Sequence, residues 1–372
     1  VPAKGFYREQ NYKNGNFTTP QYGLNGKVTE TMIFNNRIAM SWDEIEDLAM
    51  ILTRAYNPNL DVQNDTQWGY YTEWWFNYGW GIGGDCAVDT TGEGDWEFSL
   101  GDKTHKRIVY NADGSYAADD HGRVKFIADG EEGSLTDGQY AGNVLPSQYE
   151  AFDRFIKLGK PQAYGGLGVA PRVKADIGLS TSTSFFVSGS VAMLVGESGN
   201  TVSFRKAIKN FDWDVAPLPV YKEYDRDNVT VKTKGLEIGH SGSTGLGVWS
   251  KSKVKDEAFK VALYLSDGYA QTLQAQNGYR IPNNISLAEN EYIQKNVESG
   301  NKPKNIDLFT KAAVTARPAD WWYMPDNLWI DTWATPLNTQ YRENDKTTDE
   351  FFAAYTDATN EVLRNYKQQG WV

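Results

Sequence analysis

Apolar positions recur at helical spacing in four stretches of the chain. Ile45, Leu48, Ala49, Ile51 and Leu52 line one face of a helix predicted from Trp42 through Ala55. Ser41 and Glu44 have the Ser-x-x-Glu spacing of a capping box, so Asp43 and Glu44 read as first-turn carboxylates and not as an acid/base pair. Gln148–Gly159 is amphipathic through Tyr149, Phe152, Phe155, Ile156 and Leu158. Asp256–Leu265 is a third such helix, another starts at Ser266, and Gly278–Pro282 closes the pair. Residues 285–311 read as polar helix, and Thr348–Tyr366 as a last amphipathic one.

Period-2 alternation and short apolar runs predict the strands. Val28–Asn36 alternates. Trp96–Leu100, Arg107–Tyr110 and Val124–Ile127 are short runs among many Gly and Asp residues, which predicts small hairpins between residues 89 and 147. Val191–Val195 is a glycine-bounded apolar run, the pattern of a buried strand. Gly196–Gly199 ends it in a turn that presents Glu197 and Ser198. Trp213–Leu218 predicts a further strand, closed by Pro219, which has no N–H to give to a ladder.

The composition narrows the function classes. With 372 residues there is chain for two to three domains. A net charge of -11 argues against a nucleic-acid partner, which requires a basic face. Cys86 is the single cysteine, so an internal disulfide and a cysteine-based zinc cluster are excluded. Aromatic residues are 14% of the chain, with 13 Trp. Part of that excess builds core. The rest suits sugar recognition, because an indole face stacks on the apolar C–H face of a pyranose while polar groups take its hydroxyls.

Several short motifs fail on context. Gly79-Trp80-Gly81-Ile82-Gly83-Gly84 spells G-x-G-x-x-G, but an aromatic helical segment precedes it where a dinucleotide site needs a strand. Asn111–Asp120 has the wrong glycine position and no closing Glu for a calcium loop. Gly239-His240-Ser241-Gly242-Ser243 lacks the last glycine of a hydrolase elbow, and Ser250-x-x-Lys253 stands alone. No metal and no cofactor is expected.

Four ordered blocks resemble the extracellular carbohydrate-binding proteins of ABC importers, the group that includes the maltodextrin-binding proteins. The first is Tyr22-Gly23-Leu24 with Ser41-Trp42-Asp43-Glu44 and Leu52-Thr53. The second is Phe185-Phe186-x-x-Gly189 through Ala192-Met193 to Gly196, then Asp212-Trp213-Asp214-Val215-Ala216-Pro217-Leu218-Pro219. The third is a Gly/Ser-rich strand ending in Trp249-Ser250-Lys251-Ser252-Lys253, and the fourth the paired helices ending at Gly278-Tyr279-Arg280-Ile281-Pro282.

The resemblance implies a type II periplasmic-binding-protein-like α/β fold with two lobes joined by hinge crossings. It implies a remnant of the N-terminal lobe and first hinge at 1–26, and a C-terminal lobe at 27–238 carrying the insertion 89–147. A return segment would follow at 239–312, and helices packing on the C-terminal lobe at 313–372. The first lobe is expected to be incomplete. The ligand is expected to be an oligosaccharide, delivered to membrane permease subunits by a monomer that sits outside the cytoplasm, lipid-anchored or periplasmic. Matching positions nominate Glu73, Trp75 and Phe76 in the aromatic stretch 66–85, where Trp74 and Trp80 are further rings that could face ligand, then Glu197 and Ser198 in the turn, Gly242 and Ser243 in the return strand, and Trp322 near the C-terminus. Counting back from the last helix nominates Trp329 or Trp333 instead. The competing classes are a carbohydrate-active enzyme, with Glu73 and Glu197 as its carboxylates, and a non-transport glycan-binding module.

Overall fold

Ser41 and Glu44 form the predicted capping box: the Glu44 N–H donates to Ser41 Oγ at 3.2 Å and the Ser41 N–H to Glu44 Oε2 at 3.4 Å. The helix they open runs Trp42–Leu52 and buries Trp42, Ile45, Ala49 and Met50. It stops short of the predicted Ala55 because Thr53 is extended and turns its hydroxyl back to the Ala49 carbonyl at 2.7 Å. The same hydroxyl accepts the Gly69 N–H at 2.9 Å and so ties the helix end to strand β3, Trp68–Tyr71. Gly69 is required there, since a Cβ would lie 1.9 Å from the Ala49 carbonyl oxygen.

The computed structural model describes residues 5–8, 32–35, 40–56, 66–171, 182–225, 230–242 and 245–370. The fold is mixed α/β, with its strands in small sheets. β1 (Gly5–Arg8) and β2 (Met32–Asn35) form an antiparallel pair, and β2 is the described part of the predicted Val28–Asn36 strand. Between residues 87 and 141, β4 (Ala87–Asp89) pairs with β5 (Trp96–Phe98), and β6 (Lys106–Asn111) lies between β7 (Phe126–Ala128) and β8 (Gln139–Ala141). The strand expected to be buried is β9 (Val191–Leu194), which runs parallel to β3 with Tyr70 opposite Met193; Val191 is buried, while Ala192, Met193 and Leu194 are half-buried. β10 (Lys222–Tyr224) and β11 (Val231–Lys234) make a last hairpin.

The chain forms two compact units: Val1–Val195 with Leu218–Ile238 and Ala319–Val372, and Gly196–Pro217 with Gly239–Pro318. One boundary between the units falls at Ile238–Gly239. Gly196–Pro217 belongs to the smaller unit, and the last boundary falls at Pro318–Ala319.

The larger unit holds the main core. Trp80, Trp329, Trp333, Tyr78, Phe152 and Phe351 are its largest fully buried rings. Gln148–Gly159 and Thr348–Gln368, each opened by a capping box, press Phe152 and Phe351 together at 5.7 Å. The smaller unit centres on Ala275, Tyr292 and Ile306. Its helix Lys255–Ser266 matches the predicted span, but Phe259, Val261, Leu263 and Tyr264 stay exposed.

Two predicted strands do not form. Trp213–Leu218 has no ladder partner among the described residues; Pro217 and Pro219 lack donors, and side-chain contacts fix the segment instead. Trp213 packs edge-on against Phe204 at 5.5 Å, and the Asp214 carboxylate accepts the Asn305 backbone and side-chain N–H groups at 3.1 and 3.0 Å. The Gly/Ser-rich segment before Trp249 makes a single bridge, His240 beside Arg317.

Candidate functional site

Thr72 ends β3 fully buried, and its hydroxyl accepts the Trp74 N–H at 3.0 Å and an Asn77 side-chain N–H at 2.9 Å. That turn sets Glu73 at the surface and Trp74 half-buried beside it. The Tyr71 hydroxyl donates to Glu73 Oε1 at 2.9 Å and orients the carboxylate. Burial first, and then the Glu73 charge, push the Tyr71 hydroxyl well above its ordinary pKa, so it remains a donor at neutral pH.

A second segment meets this one. Asp320 is buried, and its Oδ2 accepts the Cys86 N–H at 2.7 Å. This anchors the single helical turn Asp320–Tyr323. Trp321, half-buried, stacks on Trp74 with ring centroids 6.3 Å apart and planes at 19°. Trp321 also stacks on Trp80 at 6.0 Å, which backs it with core. Trp322 is 46% exposed, and Tyr323 lies over Trp96 at 5.2 Å and 23°. Trp74 and Trp321 thus form a half-buried stack backed by Trp80, with the oriented Glu73 carboxylate beside Trp74 in sequence. Such a surface can stack a pyranose and accept hydrogen bonds from its hydroxyls.

The structure sorts the nominated residues. Glu73 and Trp74 lie at the Trp74–Trp321 stack, and Trp322 is exposed next to it in sequence. Trp75, Trp80, Trp329 and Trp333 are corrected to core. Trp80 and Trp329 are 0% exposed and Trp333 1%, and their ring faces are spent on neighbours. Phe76 stacks on Trp80 at 4.1 Å, while Trp75, Phe98 and Phe152 surround Trp333 at 5.6 to 6.2 Å. Of the three C-terminal candidates Trp322 alone is exposed, whereas Trp329 and Trp333 are buried. Trp321, Tyr323 and Trp96 were missed from the sequence; the run Trp321-Trp322-Tyr323 was the available signal, but periodicity does not say which ring of three turns inward.

Glu197, Ser198 and Gly242 lie in the smaller unit, and Ser243 is outside the described residues. Glu197 is exposed in the loop that opens the helix Asn200–Ala207. The Ser198 carbonyl accepts from the Thr201 hydroxyl at 2.8 Å, and that hydroxyl also reaches the Gly278 carbonyl at 3.2 Å. Glu197 acts on His240, whose pKa is lowered by burial against the opposing pull of that carboxylate. A Cβ on Gly242 would lie 3.3 Å from the His240 ring.

Among the described residues no group of three or more His, Cys, Asp or Glu is placed to hold a metal ion, and no helix is long and apolar enough to cross a membrane. Asp113 and Asp119, in the loop with a passing likeness to a calcium site, take donors from Ser115 and from His121 and Arg123. No known family profile matches this chain, and no curated protein does.

Proposed function

We propose that this chain is an oligosaccharide-binding protein that works outside the cytoplasm and hands its ligand to an ABC-type permease. The carrying observation is the stack of Trp74 on Trp321 beside the Tyr71-oriented carboxylate of Glu73. Two stretches far apart in sequence meet there as one aromatic surface with a hydroxyl-accepting group. The four ordered blocks of resemblance to carbohydrate-binding proteins of ABC importers support the same reading. So does the path of the chain, which passes between its compact units at Val195–Gly196, Pro217–Leu218, Ile238–Gly239 and Pro318–Ala319. Multiple crossings suit hinge closure of a two-lobed, type II periplasmic-binding-protein-like fold over a ligand. By the same resemblance, Glu197 and Ser198 remain candidate ligand contacts.

Calorimetric titration of the intact chain with a panel of malto-, cello- and xylo-oligosaccharides tests this. Saturable binding to one series, with the sugar recovered unchanged, is the expected result. Shortened products would favour a carbohydrate-active enzyme.

A further inference from the structure

The insertion carries a second aromatic feature, away from the Trp74–Trp321 stack in sequence and built on a different sheet. Tyr110 on β6 is opposite Tyr140 on β8, and Tyr116 bridges Tyr110 from the other side. The three rings form a row across adjacent strands, with centroids 5.1 Å apart at 13° for Tyr110–Tyr140 and 5.6 Å apart at 38° for Tyr110–Tyr116. Alternation along β6 explains the side they take. Val109, with Ala117 and Ile127, fills a small core on the opposite face, so the neighbouring position turns Tyr110 the other way.

Cross-strand tyrosine pairs stabilise a sheet without any ligand. Two further observations point to one here. The outer rings remain open to solvent: Tyr116 is 45% exposed and Tyr140 47%. Beside Tyr110 there is also a cavity of about 280 Å³, bounded by Gly142, Asn143, Lys232 and Lys234. Gly142 permits the approach, since a Cβ would lie 2.9 Å from the Tyr110 ring. Asn143 Nδ2 donates to the Lys232 carbonyl at 2.6 Å, which holds β11 against the sheet and shapes the rim. The Lys232 ammonium donates to Glu223 at 2.9 Å, and with Asn143 and Thr233 it gives the rim polar groups. At that volume the cavity takes one small ring rather than an extended molecule.

We propose that the Tyr110–Tyr116–Tyr140 row and its adjoining cavity form a second glycan-binding surface. It takes a pyranose unit of a polysaccharide, the C–H face of the sugar on the tyrosine rings and its hydroxyls at Asn143 and Lys232. This surface goes beyond the transport reading and does not depend on it.

Affinity electrophoresis of the whole chain in native gels containing amylopectin, galactomannan or xylan provides the test. Retardation in at least one gel is expected. Tyr116→Ala/Tyr140→Ala should lose it, with an apparent affinity at least about fivefold weaker. Trp74→Ala should keep it, which separates this surface from the proposed transport site. Asn143→Ala/Lys232→Ala leaves all three rings in place and should also weaken retardation, so the outcome does not hang on the folding of the tyrosine variant. The proposal is overturned by mobility identical with and without polysaccharide in all three gels. It is equally overturned if both double variants are retarded like the parent, or if Trp74→Ala alone abolishes retardation.

Discussion

Trp74 and Trp321 stack with their planes at 19° and their centroids 6.3 Å apart. One comes from the turn after β3, the other from the helical turn anchored by Asp320. If this pair is the sugar platform, Trp74→Ala and Trp321→Ala should each weaken oligosaccharide binding by roughly three- to tenfold, the scale of one lost aromatic contact. Quenching of intrinsic fluorescence during titration would follow it. Equal affinities for parent and both variants would remove the platform.

The buried tryptophans should behave differently. Trp80→Ala and Trp333→Ala each empty a large core site and should cost about 3–5 kcal/mol of unfolding free energy. Trp322→Ala, at a 46% exposed position, should change stability by no more than about 1 kcal/mol. Urea denaturation of the three variants distinguishes core from surface. A Trp322→Ala midpoint as low as that of Trp80→Ala would contradict the assignment.

Gly69 lets helix Trp42–Leu52 pack closely on β3. A methyl group there meets the Ala49 carbonyl at 1.9 Å, so Gly69→Ala must push helix and strand apart, at a cost of about 1–3 kcal/mol. Thr53→Ala removes the acceptor of the Gly69 N–H and should cost about 1–2 kcal/mol. Thermal unfolding of both should show lowered midpoints; an unshifted Gly69→Ala would mean the two elements are not in contact.

Glu46 predicts a pH dependence. Burial raises its carboxyl pKa to about 7, opposed by Arg154 at 3.7 Å and reinforced by Asp43. A carboxyl whose folded-state pKa is raised contributes stability in its protonated form. That contribution is complete below the unfolded-state value and is lost as pH rises through about 7. Between pH 5 and pH 8 the parent should therefore lose up to about 2–3 kcal/mol that Glu46→Gln does not lose. Stability curves of parent and variant that run parallel across this range would rule the effect out.

What the sequence made legible was mostly local. The Ser41–Glu44 box, the helix Gln148–Gly159 and the strand β9 follow from caps and period, which need only a few neighbouring residues. Trp213–Leu218 misled because an apolar run reads the same whether it enters a ladder or is pinned by Asp214 to Asn305 and by Trp213 to Phe204. The tryptophans misled for a related reason. An indole is equally at home in a core and on a sugar, and only tertiary packing separates Trp321, which keeps part of its surface, from Trp329, which keeps none. The helix Lys255–Ser266 was correctly placed, yet its apolar residues gave no warning that Phe259 and Tyr264 stay exposed.

The central claim, oligosaccharide binding without turnover at the Trp74–Trp321 stack, is tested most directly by one calorimetric experiment. The parent and the Trp74→Ala/Trp321→Ala variant are titrated with the same oligosaccharide panel, and the sugars are analysed chromatographically afterwards. The account predicts saturable binding by the parent, its loss in a variant that still unfolds cooperatively, and sugars of unchanged length. No heat with any oligosaccharide, unaltered binding by the folded variant, or shortened products would contradict it.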